Sequence, residues 1–256
     1  MDLGLEGRSA LVAASSSGLG LAVARTLAAE GAHVSLCGRD PDKLARAHAE
    51  VDGCGPGRVL STVVDLRDED AAAAWVRHTA EEFGCLHIVV TNSGGVPFGP
   101  VESFEVAEYR QAVNDNLLPH VSLSLAAKPY LIEAGWGRIV MITSEAVRQP
   151  HPGSGLSSVA RLGVLGFVKG LVHALGAGGV TVNVLAPGFH RTPILDEQYG
   201  AEVEDRIAEV ARELPLGRIG QAEDLGSLAA FLASEQAAFV TGTVLVADGG
   251  NTRGIG

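Results

Sequence analysis

A short run of serine and glycine near the start of the chain has the composition of a phosphate-binding turn. Residues 14–20 read ASSSGLG and lie directly after an apolar segment and directly before a helical pattern. Glycine lets the backbone approach a pyrophosphate closely, and the N-terminus of the next helix supplies free N–H groups and the positive end of its dipole. The Gly-x-Gly-x-x-Gly fingerprint is incomplete because position 23 is Val. A plain tight turn is the alternative interpretation, but the position between a strand and a helix favours phosphate binding.

Arg39 lies about 20 residues beyond this turn, where an NAD site places an acid on the ribose 2′-hydroxyl. The segment there reads Cys37-Gly38-Arg39-Asp40, so glycine stands at the usual acidic position. A guanidinium forms paired hydrogen bonds with a 2′-phosphate, whereas an acid would repel it. Arg39 therefore predicts that NADP(H) is preferred over NAD(H). The alternative is a solvated surface arginine.

The elements that must position these residues are short apolar runs separated by helical patterns. The predicted strands are Ser9–Ala13, His33–Cys37, Val59–Val64, Leu86–Thr91, Arg138–Thr143, Val180–Leu185 and Thr243–Ala247. The predicted helices are Leu19–Glu30, Pro41–Val51, Asp68–Phe83, Val106–Ala134, Leu156–Leu175 and Ala222–Ala233. Most of the strands are apolar throughout, as expected when both faces of a parallel sheet are buried. The alternation predicts one α/β domain over residues 1–256, a doubly wound Rossmann fold whose seven-stranded parallel sheet has helices on both faces.

Ligands of such a sheet bind beyond the carboxyl ends of its strands. Small, polar or flexible residues follow each of these ends, namely Ser15–Ser17, Gly38 with Arg39, Asp65, Asn92–Gly95, Ser144 and Pro187–Gly188. This arrangement is what a dinucleotide lying across the sheet would require.

The charge balance excludes some classes of function. The chain has 256 residues, with 19 Lys and Arg against 30 Asp and Glu, and thus a formal net charge of −11 at pH 7. Nucleic-acid-binding proteins normally carry a basic face, so we expect no nucleic-acid partner. Hydrophobic residues make up 46% and charged residues 19% of the chain, which is too apolar for a disordered protein.

Cysteines and apolar runs bear on the compartment. Cys37, Cys54 and Cys85 are odd in number and form no Cys-x-x-Cys pair, which suits a reducing compartment. No His, Asp or Glu pair has metal-ligand spacing, so we expect no metal site. The N-terminal segment carries acids early, unlike a secretory signal, and Lys169 interrupts the apolar run at 162–172. We therefore expect a cytoplasmic protein with no membrane partner.

Nine segments, taken in order and spacing, resemble the short-chain dehydrogenase/reductase superfamily, close to its 3-oxoacyl-carrier-protein reductase branch. They are ASSSGLG (14–20), CGRD (37–40), VVDL (63–66), TNSGG (91–95), NLL (116–118), RIVMITS (138–144), VTVNVLAPG (180–188), LPLGRIG (214–220) and ADGG (247–250). Two departures are mild: Ala13-Ala14 stands where the family has Thr-Gly, and Thr91 where it has Asn.

The resemblance implies a cofactor site. In the family, the match of Asp65 contacts adenine, Asn92 and Gly94 line the ribose path, and Pro187-Gly188 with Thr192 holds the nicotinamide amide. The implied cofactor-binding residues are Ser15, Ser17, Gly18, Leu19, Gly20, Arg39, Asp65, Leu66, Asn92, Gly94, Arg161, Pro187, Gly188 and Thr192.

The chain departs from the family at its catalytic residues. Family reductases use Asn, Ser, Tyr and Lys: Tyr donates a proton to the carbonyl oxygen, Lys lowers the Tyr pKa, Ser bonds the oxygen, and Asn anchors a water relay. Asn116 and Ser144 match, but the Tyr-xxx-Lys pair is replaced by Ser157 and Arg161. A serine hydroxyl is a far weaker acid than a phenol of pKa about 10, and arginine does not release a proton, although it can still hold ribose hydroxyls.

Another group must then supply the proton. No tyrosine lies between positions 144 and 187. Glu145, His151 and His190 are nearby in sequence, and histidine transfers protons near neutral pH. The alternative for each histidine is a solvated or structural side chain. Losing a general acid costs about 10²–10⁴ in rate, and positioning a hydride donor supplies about 7–11 kcal/mol, so redox chemistry is weakened and not forbidden.

Two further features concern the substrate and the oligomer. Residues 189–220 match the family's insertion that covers the substrate pocket, and a mobile lid is a reasonable expectation. Relatives pair the helix that matches Leu156–Leu175 across a dimer interface, so the resemblance implies a homodimer or homotetramer. Burial of that helix within a monomer is the alternative.

Three functional hypotheses remain. The first is an NADP(H)-dependent carbonyl reductase or alcohol dehydrogenase that acts on a small molecule with a non-standard proton donor. The second is a non-redox enzyme on the same scaffold, such as a dehydratase, cyclase or isomerase. The third is a catalytically inactive nucleotide-binding homologue.

Overall fold

Seven parallel strands form one sheet in the order β3-β2-β1-β4-β5-β6-β7. The structure is a computed structural model that describes residues 2–254. The strands are β1 (Ser9–Val12), β2 (His33–Gly38), β3 (Val59–Val63), β4 (Ile88–Thr91), β5 (Gly137–Ile142), β6 (Val180–Pro187) and β7 (Val244–Ala247). Every residue of β1, β4, β5 and β6 is buried, as the apolar runs predict, while the edge strands β3 and β7 are more open. The predicted fold class is confirmed.

The helices cover both faces of this sheet. They are α1 (Gly18–Ala29), α2 (Pro41–Asp52), α3 (Glu69–Phe83), α4 (Val106–Asn116), α5 (Leu118–Glu133), α6 (Gly155–Leu175), α7 (Pro193–Tyr199), α8 (Val203–Glu213) and α9 (Ala222–Ala233). One apolar core lies between the sheet and α1, α2 and α9. The other lies between the sheet and α3, α5 and α6.

The prediction of one continuous helix over Val106–Ala134 is wrong. The helix breaks at Leu117, whose φ of −114° and ψ of −53° end α4 and begin α5. Pro119 follows, and proline has no N–H and clashes with the carbonyl four residues earlier. The break falls directly after Asn116, so it lies beside a predicted catalytic residue.

The turn between β1 and α1 is tightly constrained. Ala14 is the one residue other than glycine with a positive φ, 47°, in the described part of the chain. A Cβ on Gly20 would come within 2.4 Å of the Ala14 carbonyl oxygen, so only glycine fits there. The backbone at Ala14 can approach Gly20 closely because glycine has no side chain.

The segment after β6 passes over the carboxyl edge of the sheet. It contains α7 and α8, and it returns to the body through a bridge between His190 and Gly220. Lys43 of α2 lies 3.7 Å from Glu197 of α7, and Arg191 pairs with Asp196 at 2.9 Å. These exposed ion pairs connect the segment to α2 and to itself.

Helix α6 is long and apolar enough, by length and composition alone, to span a membrane. In the fold its stripe of Val164, Val168 and Leu171 packs into the core beneath the sheet. Lys169 on the same helix donates a 2.6 Å hydrogen bond to the carbonyl of Gly242. The helix is thus a core element of this domain.

Candidate active site

A cleft of about 460 Å³ opens at the carboxyl ends of the strands. Ten of the predicted cofactor-binding residues line it: Ser17, Gly18, Leu19, Arg39, Asp65, Leu66, Asn92, Gly94, Arg161 and Thr192. The structure therefore brings together residues that are up to 175 positions apart (192 − 17) in the chain. Thr192, from the segment after β6, lies over the turn, 3.5 Å from where a Cβ on Gly18 would be.

The four other predicted cofactor residues stand behind the cleft wall. The buried Ser15 hydroxyl donates to the Val12 carbonyl (2.8 Å) and accepts from the Cys37 N–H (3.1 Å), which ties β1 to β2. Gly20, as described above, allows the turn to close. Pro187 ends β6, and a Cβ on Gly188 would collide with Asp248 at 2.6 Å. These residues shape the cleft and do not line it.

The ribose end of the cleft has no free acid beside Arg39. A Cβ on Gly38 would come within 2.8 Å of the Ser16 hydroxyl, so Ser16 occupies the space where other Rossmann sites carry an acid. Asp40 caps α2 by accepting hydrogen bonds from the N–H groups of Asp42 (2.9 Å) and Lys43 (3.0 Å). Asp65, whose pKa the Arg39 charge helps to lower, is hydrogen-bonded by Arg67. Arg39 is therefore free to meet an anion.

Asp65 has a partner that the sequence did not reveal. The Arg67 side chain donates to both carboxylate oxygens, with Nε at 2.9 Å from Oδ1 and Nη2 at 2.5 Å from Oδ2. This hydrogen bonding lowers the pKa of Asp65 to about 2. Arg67 also lines the cleft, so two arginines border its adenine-ribose end.

The unpaired hydrogen-bonding groups of the cleft fit a dinucleotide. Ser17, at the N-terminus of α1, makes no side-chain cap, so the first N–H groups of that helix remain available beside the glycine turn. Thr143 Oγ1 and Arg161 Nε are buried without a hydrogen-bond partner, and both residues line the cleft. Unpaired donors at these points suit hydroxyl and phosphate oxygens of a nucleotide.

A hydrogen bond from Ser93 orients the side chain of the predicted catalytic residue Asn116. Asn116 is fully buried, and its Oδ1 accepts a 3.0 Å hydrogen bond from the Ser93 hydroxyl. Its Nδ2 has no partner in the structure. The amide is thus oriented with a free donor.

Ser157 and Arg161 form a hydrogen-bonded pair. Arg161 Nη1 donates to the Ser157 hydroxyl at 2.6 Å, and Nη2 donates to the Gly94 carbonyl at 3.1 Å. Burial lowers the pKa of Arg161 to about 10, which still leaves the guanidinium charged at neutral pH. The pair therefore presents a fixed positive charge to the cleft and no ready proton.

Ser144 lies directly after Thr143, where the cleft wall ends. Its hydroxyl donates to Glu145 Oε2 at 3.0 Å and accepts from the Ala146 N–H at 3.2 Å. Burial raises the pKa of Glu145, against the opposing effect of the Ser144 hydrogen bond.

The two histidines proposed as substitute acids lie outside the cleft. His151 is exposed and stacks on Phe98, with ring centroids 5.9 Å apart. His190 is buried: its Nδ1 meets the Gly188 carbonyl at 3.1 Å, and its ring fills the space above Gly220. Burial lowers the pKa of His190. The structure leaves both roles as untested predictions.

Sequence reasoning missed a second buried pair. His120 Nδ1 lies 2.6 Å from the Thr91 hydroxyl, and burial lowers the pKa of His120 to about 3. Thr91 is the residue that departs from the family's Asn, and its hydroxyl is the partner of the buried His120 ring. Within residues 2–254, no group of three or more His, Cys, Asp or Glu could hold a metal ion.

Comparison with known proteins shows the family of this chain. A family model described as enoyl-(acyl carrier protein) reductase matches residues 13–252. The 3-oxoacyl-[acyl-carrier-protein] reductase FabG of Pseudomonas aeruginosa is 33% identical over 251 residues, which cover 97% of this chain and 98% of the relative. The chain belongs to the short-chain dehydrogenase/reductase family.

Other members of this family show how its cofactor varies. A 2-dehydro-3-deoxy-L-rhamnonate dehydrogenase (NAD(+)) from Sphingomonas sp. is 32% identical and covers 96% of both chains. The structure of L-sorbose reductase from Gluconobacter frateurii, complexed with NADPH and L-sorbose, superposes with a TM-score of 0.93 at 27% identity over 100% of both chains. As a short-chain dehydrogenase/reductase, the present protein is an oxidoreductase.

Proposed function

We propose that this protein is an NADP(H)-dependent oxidoreductase that interconverts a carbonyl and an alcohol, and that its proton donor is not the family's tyrosine. The observation that carries the cofactor preference is the surroundings of Arg39. Ser16 fills the usual acidic position, and the Asp40 carboxylate is bonded to the start of α2. A 2′-phosphate at this point would meet the Arg39 charge, while the neighbouring carboxylates of Asp40 and Asp65 are bonded to other groups.

The residues of the cleft divide into those that bind and those that act. Arg39, with Arg67 beside it, would hold the 2′-phosphate and adenosine, and the glycine turn with the start of α1 would hold the pyrophosphate. Thr192 and Asn92 would hold the nicotinamide half. When bound, NADPH supplies a hydride to the substrate carbon.

The chemistry at the substrate oxygen falls to the chain itself. The Ser144 hydroxyl would hydrogen-bond that oxygen, as the family resemblance implies, in exchange for its present bond to Glu145. Arg161 supplies a fixed positive charge near the developing negative charge, which stabilises it electrostatically. Ser157 does not replace the tyrosine, because its hydroxyl is bonded to Arg161 and is intrinsically a weak acid.

A homodimer or homotetramer is part of the same proposal. Val159 and Leu162 of α6 are 50% and 43% exposed in the single chain, on the helix that relatives pair. An assembly would bury them. Light scattering after size-exclusion chromatography tests this, and a monomer at micromolar concentration would remove it.

Titration of the purified protein with NADPH and with NADH, followed by nicotinamide fluorescence, tests the cofactor assignment. We expect NADPH to bind at least about tenfold more tightly, since charged hydrogen bonds contribute about 1.5–3 kcal/mol each. Equal binding of the two would remove the NADP(H) preference. Binding of neither would favour the non-redox alternative on this scaffold.

A further inference from the structure

Glu145 and Ser144 form a hydrogen-bonded pair directly after Thr143, which lines the cleft. The Ser144 hydroxyl lies 3.0 Å from Glu145 Oε2, and both residues are partly buried. Here a short 3₁₀ turn over Glu145–Val147 begins at Ser144 and brings the two together. The Ala146 N–H holds the Ser144 oxygen from the other side, at 3.2 Å.

The surroundings of Glu145 favour a carboxyl group that gains and loses a proton. Five groups act on it: the Ser144 hydroxyl, the backbone N–H of Glu145 itself, the exposed His151, Asp248 after β7, and the Arg161 guanidinium, whose own pKa the Glu145 charge raises. Burial is the largest influence and, with Asp248, raises the pKa of Glu145, while Ser144 and His151 oppose that shift. A carboxyl whose pKa is moved toward neutrality is suited to act as a general acid.

We propose that Glu145 is the proton source that replaces the missing tyrosine, delivering its proton to the substrate oxygen through the Ser144 hydroxyl. The inference rests on the proposed redox function. As the substrate carbon gains a hydride, the Ser144 O–H bond breaks and the proton bonds to the substrate oxygen. When Glu145 is protonated, the resting hydrogen bond, in which Ser144 donates, reverses so that the carboxyl donates to the Ser144 oxygen. The Glu145 O–H bond breaks in the same relay and restores the Ser144 hydroxyl. The carboxylate left behind faces the Arg161 charge, and a solvent proton returns to it on the side of His151.

The contacts of the other nearby groups favour Glu145 over them as the donor. Ser157 is bonded to Arg161 at 2.6 Å, and His190 is packed against Gly220 with its Nδ1 at the Gly188 carbonyl. His120 is fully buried and bonded to Thr91. His151 is exposed to solvent and stacks on Phe98, so it is better suited to pass a solvent proton to Glu145 than to reach the substrate.

Glu145→Gln tests the relay, because glutamine keeps the shape and the acceptor oxygen but carries no exchangeable carboxyl proton. Glu81→Gln, at an exposed position of α3, is the matched control. The first readout needs no substrate: the apoprotein is labelled with [δ-¹³C]glutamate, and the Glu145 carboxyl, assigned by its absence in the variant, is titrated by NMR. We expect it to titrate above the pH range of the other glutamates.

The second readout is the pH profile of NADPH-dependent reduction of a panel that includes benzaldehyde, 2,3-butanedione and ethyl acetoacetate. Reduction needs the protonated carboxyl, so its rate should fall as the pH rises through the Glu145 pKa. Alcohol oxidation needs the carboxylate, so its rate should rise through the same pH. Glu145→Gln should abolish this dependence of the rate on pH. It should also lower the rate of reduction by about 10²-fold or more, with NADPH affinity unchanged. Ser144→Ala combined with Glu145→Gln should cost no more than the larger single loss, since the two act in one relay.

The inference is overturned if Glu145 titrates with the other glutamates, or if Glu145→Gln keeps the wild-type rate and pH profile. A wild-type protein that binds NADPH and reduces nothing in the panel would instead remove the proposed function, and the relay with it, even with a high-titrating Glu145.

Discussion

The Arg161 guanidinium donates a 2.6 Å hydrogen bond to the Ser157 hydroxyl, four residues earlier on α6. These are the two positions where the family carries lysine and tyrosine. A serine side chain is shorter than tyrosine by a phenol ring, and the Arg161 guanidinium reaches back and bonds the shorter residue. The two replacements are therefore one structural change, in which a proton donor is exchanged for a fixed cation.

Restoring both residues should restore part of the reductase chemistry. The double variant Ser157→Tyr, Arg161→Lys should raise carbonyl reduction by about tenfold or more, because a positioned general acid contributes about 10²–10⁴ in rate. Ser157→Tyr alone should gain less, since Arg161 occupies the space that the ring needs. Steady-state rates with NADPH and the carbonyl panel give the comparison. A double variant no faster than the wild type would show that the pocket no longer positions a carbonyl for a tyrosine.

Charge reversal at the edge of the cleft should change the cofactor preference. Arg39→Glu should weaken NADPH binding by about 10–100-fold, since it removes a charged hydrogen bond and adds repulsion. NADH binding should change little or improve. Arg77→Glu, at an exposed position of α3, makes the same charge change away from the cleft and should leave both affinities unaltered. If Arg39→Glu left NADPH affinity intact, Arg39 would be a surface residue only.

Because Ala14 is strained, replacing it with glycine should change stability in the opposite direction from an alanine-to-glycine change in a helix. Ala14 has a φ of 47°, where an L-residue other than glycine is disfavoured by about 1–2 kcal/mol. Ala14→Gly should therefore raise the free energy of unfolding by about 0.5–1 kcal/mol, after the greater flexibility of glycine in the unfolded chain is subtracted. Ala29→Gly, at the end of α1, should lower it by about 0.5–1 kcal/mol. Urea unfolding measures both, and the same sign for the two would contradict the strain.

The buried His120 should make stability depend on pH. Its folded pKa is lowered to about 3, whereas an unfolded histidine titrates near 6.5. Between these values the unfolded state binds more protons, so stability should fall as the pH drops below about 6.5, by up to about 1.4 kcal/mol per pH unit. His120→Gln should reduce this slope between pH 6.5 and 5. His78→Gln, on the exposed face of α3, is the control, and equal slopes in the two variants would exclude His120 as the source.

The fold could be predicted from the sequence because apolar runs show directly which segments are buried. The apolar runs of β1, β4, β5 and β6 predicted a parallel sheet, and the glycine turn predicted where α1 begins. The break at Leu117 was missed because the apolar pattern continues across it, although Pro119 was a signal that could have found it.

The site was harder to predict, because its decisive features are contacts between distant or unremarkable residues. The Ser15 side chain is bonded to the sheet, whereas the Ser16 side chain lies against Gly38. A run of three serines does not show which of them takes which position. Pairing of Thr91 with His120 spans 29 residues and depends on the packing of α5 against β4. Glu145 was visible as an acid beside Ser144, but only the 3₁₀ turn shows that the two are bonded.

Transfer of deuterium from NADPH labelled at the nicotinamide C4 tests the central claim most directly. The protein is incubated with the labelled cofactor and the carbonyl panel, and the products are examined by mass spectrometry. We predict an alcohol that carries one deuterium at the former carbonyl carbon, formed more slowly by the Ser144→Ala variant. Products that form without deuterium, or tight NADPH binding with no product from any carbonyl, would contradict the proposed oxidoreductase activity on such substrates.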